Sequence, residues 1–357
     1  MVNTMPNPIK PHYIAYFDIL GYKDFFDHQP EKVEGFLASI HRAVHYAIGY
    51  IQKFHESPIM SQIANTDYKI KIFSDNFLIC LETTEMMNES VRLLTLIQSI
   101  AEIQSMLISE YGLFVRGGIT KGDISFNDDY VFGQGLIDAV YLEGKVAKYP
   151  RIIVSEELVK YLMENHLYTQ EETNKALDIE QRSKNGENIS QEDREFYFQM
   201  RNQAIMQSFI LQGANTLLFK WPDENWIVSY LQRVNVTEML GTDILNSLLQ
   251  AIQTVSPTDY QMISTQSKGL DTLLEQHKMR VEEQLIKFGN NKDIEIKDFA
   301  KADEREYVLR KYIWSMTYHN LVCDAYKKTQ YKILTECNCD VRFIKTIIKV
   351  QNDEHKE

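Results

Sequence analysis

Apolar and polar residues recur along this chain with the spacings of both strands and helices. Residues 12–19, HYIAYFDI, are rich in aromatic and β-branched side chains and predict a buried strand. Residues 31–57 carry apolar side chains at helical spacing and predict a helix. Two further apolar runs, 68–73 and 77–82, flank Ser74-Asp75-Asn76 and predict a hairpin. The chain is therefore expected to begin as strand, helix and hairpin.

The pattern continues up to residue 165. It predicts a helix at 91–100, a strand at 113–120, a hairpin around 127–129, a helix at 136–148 and a strand at 151–154. The resulting order, β-α-β-β-α-β, is the split βαβ plan, in which a ferredoxin-like antiparallel sheet carries helices on one face. We therefore expect an α+β fold for residues 11–165.

The rest of the chain divides by composition. Residues 166–205 are charged and have few apolar positions, which predicts a polar linker or an exposed excursion. Two apolar runs then flank Pro222-Asp223-Glu224-Asn225 and predict a second hairpin. Apolar stripes at helical spacing follow beyond residue 242. Residues 206–357 are therefore expected to form a β-hairpin plus a mainly helical C-terminal extension.

Composition and charge exclude some classes of protein. The chain has 357 residues, 44% of them hydrophobic, which is enough for a sizeable core. A net charge of −12 argues against coating nucleic acid, although a bound divalent cation would reverse the potential locally. No apolar run reaches the roughly 18 residues of a membrane span, and residues 1–10 do not resemble a signal peptide. We expect a cytoplasmic protein with no nucleic-acid or membrane partner.

Two aspartates stand where predicted strands end. Asp18 closes the first strand, and Asp75 lies at the tip of the first hairpin. In a split βαβ sheet the first strand lies beside the hairpin strands, so we expect the two carboxylates to meet. Hard oxygen ligands suit Mg²⁺ or Mn²⁺, and two such ions can clamp the oxygens of a phosphoryl transfer. The alternative is that Asp18 caps a helix and Asp75 only fills a turn.

Several motifs follow one another along the first half of the chain. Ile19-Leu20-Gly21-Tyr22 leads from strand to helix, where its backbone amides are candidates to hold phosphate oxygens. FDILGY contains Asp18, IKIFSD contains Asp75, RGGITKG begins at Arg116, and AVYLE is followed by IIVS at 152–155. Together these motifs resemble those of the class III nucleotidyl cyclases, across roughly residues 11–162. IKIFSD departs from the family motif in having a serine where the family has glycine.

The resemblance implies a two-metal catalytic site. It implies that Asp18 and Asp75 bind two divalent cations, Mn²⁺ or Mg²⁺, with the backbone carbonyl of Ile19 as a further ligand. It also implies that Lys71 reads the base, since it matches a lysine with that role in purine cyclases. In this family the metal aspartates come from one subunit and the base-reading residues from the other, so a homodimer is expected.

Other positions depart from the purine cyclases. Gln134 stands where the family has an aspartate that helps to read adenine. Ile137 and Tyr141 stand where an asparagine and an arginine orient the ribose and stabilise the transition state. Tyr141 can still donate a hydrogen bond, and the lost positive charge has several candidate substitutes: Arg116, Lys145, Lys148 and Arg151. These departures argue against a purine substrate.

The whole pattern is most similar to the pyrimidine cyclases of bacterial Pycsar antiphage systems. Those enzymes also have a helical extension with a Tyr-Trp-His-Asn segment, here Lys311-Tyr312-Ile313-Trp314 and Tyr318-His319-Asn320. We interpret this segment as helix packing, because its spacing gives a core stripe. The resemblance implies cyclisation of a pyrimidine nucleoside triphosphate, with cyclic UMP favoured over cyclic CMP and release of pyrophosphate. The product would activate a separate effector protein in antiphage defence.

Two alternatives stay open. One is a purine cyclase, which is favoured by Lys71. The other is a non-catalytic nucleotide-binding module, which is favoured by the loss of the family's asparagine and arginine at Ile137 and Tyr141. His41 and His45 lie four residues apart on a predicted helix, but without a third ligand we interpret them as a helix face. Cys337-x-Cys339 is interpreted as unligated, since its spacing does not fit a zinc ribbon or a disulfide framework.

Overall fold

The computed structural model describes residues 8–28, 30–36, 68–83, 89–164, 170–197, 200, 217–231, 270–289 and 302–334. Most of the helix predicted at 31–57, including His41 and His45, lies outside the described residues, as do Cys337 and Cys339.

The centre of the protein is an 8-stranded mixed sheet. Its strands are β1 (Lys10–Leu20), β2 (Tyr68–Phe73), β3 (Asn76–Glu82), β4 (Phe114–Phe126), β5 (Val131–Phe132), β6 (Ile152–Val154), β7 (Leu218–Lys220) and β8 (Trp226–Val228). They are ordered β2-β3-β1-β4-β6-β8-β7, and β5 pairs with β4. β1 runs antiparallel to both β3 and β4, whereas β6 runs parallel to β4. The two predicted hairpins of the first half are both present.

The described helices pack around this sheet. They are α1 (Tyr22–His28), α2 (Glu89–Met106), α3 (Gln134–Tyr141), α4 (Glu156–Glu164), α5 (Gln170–Lys184), α6 (Leu270–Gly289) and α7 (Ala302–Ala325). α2 and α3 each continue into a π-helical turn, at Leu107–Tyr111 and Leu142–Ala147. Among the helices described, none combines the length and the apolar character that a bilayer crossing requires.

The alternation of side chains along β1 separates two apolar clusters. Tyr13, Ala15 and Phe17 face the main core, to which α2, α4, α6 and α7 contribute side chains. Ile14 and Tyr16 face the opposite side, where α3 covers a smaller cluster. The predicted α+β class is confirmed. The prediction had placed the helices on one face, and the structure places α3 on the other.

Glycines on β4 explain why α3 packs there. A Cβ atom at Gly118 would lie 2.3 Å from Cβ of Leu142, and one at Gly122 would lie 2.4 Å from Cα of Gly135. Both distances are shorter than any real contact, so only glycine allows the helix this close to the strand. The close packing fixes α3 and the turn after it relative to the end of β1.

The C-terminal extension continues the same sheet and the same core. β8 pairs with β6, with Ile227 opposite Ile153. Leu274 of α6 and Trp314 and Tyr318 of α7 belong to the main core and are almost fully buried. The described part of the extension therefore packs on the sheet of its own chain. The polar segment 166–205 includes α5, and the boundaries predicted at 165 and 205 stay predictions.

Candidate active site

The sheet register brings Asp18 and Asp75 together. Asp18, near the end of β1, pairs with Asn76 on one side and Arg116 on the other. The backbone N–H of Ile19 donates to the carbonyl of Asp75 at 2.9 Å, which ties the hairpin tip to the strand end. The Asp75 carboxyl is close enough to that of Asp18 for its charge to raise the Asp18 pKa. The pairing expected from the order of the strands is present.

The hairpin turn orients the Asp75 carboxylate. Ser74 adopts a left-handed conformation, with φ 60°, at the position where the resembled motif has glycine. Asn76 donates from Nδ2 to Oδ1 of Asp75 at 3.0 Å, and it accepts a 2.6 Å bond from the hydroxyl of Tyr16. Sequence reasoning missed both Tyr16 and Asn76, which act as positioning residues for Asp75.

Negative charge is concentrated at this end of the sheet. Burial, first, and then the nearby charges of Asp75 and Glu143 raise the pKa of Asp18 from 3.8 to about 6, against the opposing effect of Arg116. Glu143 lies on the turn after α3 and is buried. It was not predicted as a site residue, although it closes the AVYLE motif. Among the described residues no three carboxylate, histidine or cysteine side chains are grouped closely enough to hold a metal ion, so the candidate ligands are the pair Asp18 and Asp75. Paired carboxylates are oxygen ligands of the kind that hard divalent cations accept.

Arg116 is held by the carboxylates around it. Its Nε donates to Oε1 of Glu143 at 2.6 Å, and its Nη2 bonds to the same oxygen. Nη2 also lies 3.7 Å from Oδ2 of Asp18, and Nη1 donates a 3.5 Å bond to the hydroxyl of Tyr307. Most of its charge is therefore committed to Glu143.

The long helix α7 reaches the same place. Lys311 is half-buried, and its Nζ lies 4.5 Å from the ring centroid of Tyr307. Burial and the neighbouring charge of Arg116 lower the pKa of Lys311, whereas Asp18 and Glu143 act to raise it. Neither Tyr307 nor Lys311 was predicted as a site residue. The sequence placed them only on an apolar helix stripe or in a packing segment.

The predicted base-reading residues lie on β2 and α3. Lys71 donates from Nζ to the carbonyl of Asp128 at 2.5 Å. Gln134 donates to Asp138 at 2.8 Å. Tyr141 is 60% exposed at the end of α3. Within one chain, therefore, these bonds of Lys71 and Gln134 go to Asp128 and Asp138 and not to Asp18.

The connection from β1 to α1 contains the predicted phosphate-binding segment. Gly21 has φ 81°, a left-handed conformation that favours glycine, and its carbonyl accepts the first bond of α1, from Phe25, at 3.0 Å. Leu20 and Tyr22 are partly buried on either side of it. Their role in holding phosphate stays a prediction.

The sequence also offered Lys145, Lys148 and Arg151 as cations for the site. Lys145 and Lys148 are exposed on and just after the turn that follows α3. Arg151 was a wrong candidate, because it is 1% exposed and bonds to Asp223 at 2.5 Å and to the carbonyl of Ala147 at 2.8 Å. Arg151 lies just before β6, and its guanidinium bonds to the turn of the β7–β8 hairpin, so its role is structural.

A second polar cluster lies in the core behind the site. The hydroxyl of Tyr230 is 3.1 Å from Nε2 of His277, whose Nδ1 is 3.1 Å from Nδ1 of His319. Nε2 of His319 lies 2.9 Å from the carbonyl of Tyr331, and because a carbonyl only accepts, this nitrogen carries the proton. The other bonds follow: Tyr230 donates to His277, which donates to His319. The prediction that His319 serves packing is confirmed by its complete burial.

The chain resembles known proteins in structure but not in sequence. No protein-family model and no curated protein sequence matches the chain. The guanylyl cyclase Cya2 is similar at 12% identity and a TM-score of 0.28, over 44% of this chain and 80% of that one. The adenylyl cyclase CyaB from P. aeruginosa is similar at 13% identity and a TM-score of 0.31, over 45% of this chain and 84% of that one.

A third similar structure is the guanylyl cyclase domain of the RhoGC fusion protein from the aquatic fungus Blastocladiella emersonii. It has 13% identity and a TM-score of 0.32, over 45% of this chain and 90% of that one. The structural neighbours are thus adenylyl and guanylyl cyclase domains. At such values similarity carries no argument of its own, and the functional assignment depends on the geometry of the site.

Proposed function

We propose that this chain is a nucleotidyl cyclase that converts a pyrimidine nucleoside triphosphate into its 3′,5′-cyclic nucleotide and pyrophosphate. One observation carries the proposal: the carboxyl groups of Asp18 and Asp75 meet at neighbouring strand ends, in a half-buried site rich in negative charge. Buried like charges oppose stability, and their concentration in one place is typical of a functional site. The motifs that resemble class III cyclases lie around the same carboxylates.

In the proposed reaction the ribose 3′-hydroxyl attacks the α-phosphorus in line, and pyrophosphate leaves. Asp18 and Asp75, with the carbonyl of Ile19, would hold two divalent cations, which when bound activate the attacking hydroxyl and neutralise the leaving group. Arg116 compensates the charge of Glu143 and lies within 3.7 Å of Asp18, so it keeps that carboxylate in place. Backbone amides of Leu20, Gly21 and Tyr22 are the proposed contacts to the phosphates.

The preference for pyrimidines is the finer part of the proposal. It is supported by Gln134, which replaces an acid that helps to read adenine, and by Tyr141, which replaces the transition-state arginine. Lys71 is the proposed contact to the base. Cyclic UMP is favoured over cyclic CMP, and the product is proposed to activate a separate effector in antiphage defence, in the cytoplasm.

The proposed active form is a homodimer. Apolar side chains are exposed on β5 and α3, with Phe132 at 68%, Ile137 at 61% and Tyr141 at 60%. An exposed apolar surface of this kind is typical of a contact with another protein. A two-fold dimer that covers it would bring Gln134 and Tyr141 of each subunit to the aspartates of the other.

The activity is tested with all four nucleoside triphosphates in competition, with Mn²⁺, and with mass spectrometry of the products. A cyclic pyrimidine nucleotide is expected from wild type, and none from Asp75→Ala. If the products are mainly cyclic AMP or cyclic GMP, the pyrimidine assignment is wrong and the protein is a purine cyclase. No product, together with retained nucleotide binding, would identify a non-catalytic binding module.

Shared sites are tested by mixing two inactive variants, Asp75→Ala and Tyr141→Ala. Half of randomly exchanged dimers are mixed and each regains one complete site, so activity is expected to return to at most about a quarter of wild type. No recovery after demonstrated subunit exchange would mean that each chain builds its site alone.

A further inference from the structure

The C-terminal helix α7 lies directly against the proposed active site of its own chain. The ring of Tyr312 packs edge-on against that of Phe114, at the start of β4, with 5.6 Å between centroids. Two residues further along β4, Arg116 donates to the hydroxyl of Tyr307 at 3.5 Å. Because Lys311 lies one turn after Tyr307, the same face of the helix presents both residues. α7 is therefore anchored with Lys311 at the end of the sheet that holds Asp18.

The position of the ammonium group is defined by its neighbours. Nζ of Lys311 lies 4.5 Å from the centre of the Tyr307 ring, in cation–π geometry. The hydroxyl of the same tyrosine accepts a bond from Arg116. Nη2 of Arg116 lies 3.7 Å from Oδ2 of Asp18 and bonds to Glu143. Asp18, Arg116 and Glu143 each act electrostatically on Lys311. Lys311 thus belongs to the same group of charges as the proposed metal ligands.

Lys311 and Arg116 differ in how much of their positive charge is already paired within the protein. Arg116 directs Nε and Nη2 to Glu143, so its charge is largely used within the protein. Lys311 carries a compact charge on a flexible stem, which suits contact with a phosphate group. A nucleoside triphosphate brings about four negative charges, and further charge develops as pyrophosphate leaves. Tyr141 offers no cation at the position where the resembled enzymes have arginine.

We infer that Lys311 is a catalytic residue that contacts the phosphates of the bound triphosphate, and that α7 supplies it to the site built around Asp18 of the same chain. This inference rests on the proposed function. It gives the extension a chemical role: α7 delivers the cation that the cyclase motifs lack. Tyr307 is a positioning residue, since its ring contacts the ammonium group of Lys311 and its hydroxyl accepts a bond from Arg116.

The first test is Lys311→Met, which keeps the length of the side chain and removes its charge. Loss of one group that stabilises developing charge costs about 10²–10³-fold in kcat, and a loss of that order with a smaller change in KM is expected. Lys311→Arg should recover part of kcat. The matched control is Arg310→Met, which removes the preceding, exposed cation of α7 and should leave kcat within about 2-fold.

Thermal unfolding of each variant shows whether it is folded. If Lys311→Met melts well below wild type, Lys311→Gln, which keeps a polar side chain, takes its place. A wild-type kcat in the folded variant would overturn the inference while leaving the proposed function intact. An increase in kcat would overturn it too, because α7 would then obstruct the site.

A second measurement does not depend on turnover or on the base. The affinity of the full chain for inorganic tripolyphosphate with Mn²⁺, measured by calorimetry, should fall about tenfold in Lys311→Met and stay constant in Arg310→Met. A lower affinity supports the phosphate contact even if no triphosphate is cyclised, in which case only the proposed function fails. Equal affinities in wild type and Lys311→Met would overturn the contact.

The third test asks which subunit the lysine serves. Asp18→Ala and Lys311→Met subunits are mixed, beside the mixture of Asp75→Ala with Tyr141→Ala. If Lys311 acts on the site of its own chain, every mixed dimer keeps one defect in each site, and no recovery is expected. Recovery to about a quarter of wild type would place Lys311 in the partner's site and overturn the inference.

Discussion

The carboxyl pair at the end of β1 and the histidine pair between α6 and α7 bury ionisable groups in opposite ways. Asp18 and Asp75 place like charges side by side, and burial raises the pKa of Asp18 to about 6. His277 and His319 lie deeper, and burial lowers the pKa of both, but each of their ring nitrogens has a partner. The histidine pair satisfies its own polar atoms.

The difference separates a region that serves folding from the region proposed to bind cations. A fully satisfied buried network specifies one packing arrangement, and here it joins Tyr230, just after β8, to α6, α7 and the turn around Tyr331. The carboxyl pair does the opposite: Arg116 offsets its repulsion only in part, and the proposed cations would offset the rest. We therefore expect changes at the aspartates to affect activity far more than stability, and changes at the histidines to affect mainly stability.

The largest expected effect is the loss of turnover in Asp18→Ala or Asp75→Ala. Each variant should lose at least about 100-fold in kcat at saturating Mn²⁺, because one carboxylate alone does not hold both cations. The variants should stay folded and melt at or above the wild-type temperature without metal, because a like-charge contact is removed. Mn²⁺ should raise the melting temperature of wild type only.

Near-wild-type cyclisation by either variant would contradict the two-metal assignment. Unfolding of both would instead favour the alternative in which Asp18 and Asp75 serve only as cap and turn residues. Asp223→Ala is a useful contrast, since this aspartate holds Arg151 in the structural hairpin. It should lower stability and leave turnover of the folded protein unchanged.

The next effect is on stability, in His277→Leu. This change leaves the hydroxyl of Tyr230 and Nδ1 of His319 without their partner in the core. Each buried unsatisfied group costs about 1–3 kcal/mol, so the free energy of unfolding should fall by roughly 2–6 kcal/mol. His277→Gln keeps a donor and an acceptor and should lose less. Urea unfolding measures both, and equal stability of wild type and His277→Leu would show that the network contributes nothing.

A smaller effect is the opposite response of the two regions to pH. The pKa of His319 is lowered from 6.5 to about 4, chiefly by burial. Between these two pH values the unfolded chain binds the proton first, so stability is lost as the pH falls from about 6.5 to about 4. The pKa of Asp18 is raised from 3.8 to about 6, so the folded chain binds that proton first and stability grows as the pH falls from about 6. Each slope is at most about 1.4 kcal/mol per pH unit.

Unfolding between pH 4 and pH 7 in metal-free buffer separates these contributions. His319→Gln should make the loss of stability on acidification smaller, because only the contribution of His277 then remains in this pair, whereas Asp18→Asn should make that loss steeper. A pH profile identical to wild type in both variants would contradict the assignment. The buffer should contain EDTA, because a cation bound as proposed would keep the Asp18 carboxyl ionised.

The local parts of this site were predictable from the sequence. The strand that carries Asp18 and the hairpin that carries Asp75 follow from apolar runs and turn residues. Neighbouring strands then bring the two carboxylates together. The contact between Arg116 and Tyr307 joins positions 191 residues apart. No local periodicity encodes such a contact, so Lys311 could not be assigned to the site.

The face on which α3 packs was missed for a related reason. The glycines of RGGITKG were recognised as part of a motif, but their effect depends on what approaches them. Gly118 and Gly122 leave room that α3 fills, and the turn after it carries Glu143 to Arg116. Arg151 failed as a site residue because its partner, Asp223, lies in a hairpin that joins the sheet through β6. In each case the missing information was a tertiary contact.

The smallest expected effect comes from Ser74→Gly in the hairpin that carries Asp75. A left-handed conformation costs an ordinary residue about 1–2 kcal/mol, and glycine gives back about 0.5–1 kcal/mol through the entropy of the unfolded chain. A net gain of about 0.5 kcal/mol is expected, measured by urea unfolding. Glu224→Gly is the matched control, because Glu224 has φ 68° in the β7–β8 turn, away from the carboxylates. Both variants should gain similar stability and keep kcat within about 2-fold, since Asn76 and the Ile19 bond already hold Asp75. A loss of turnover confined to Ser74→Gly would assign a role in the site to the serine hydroxyl.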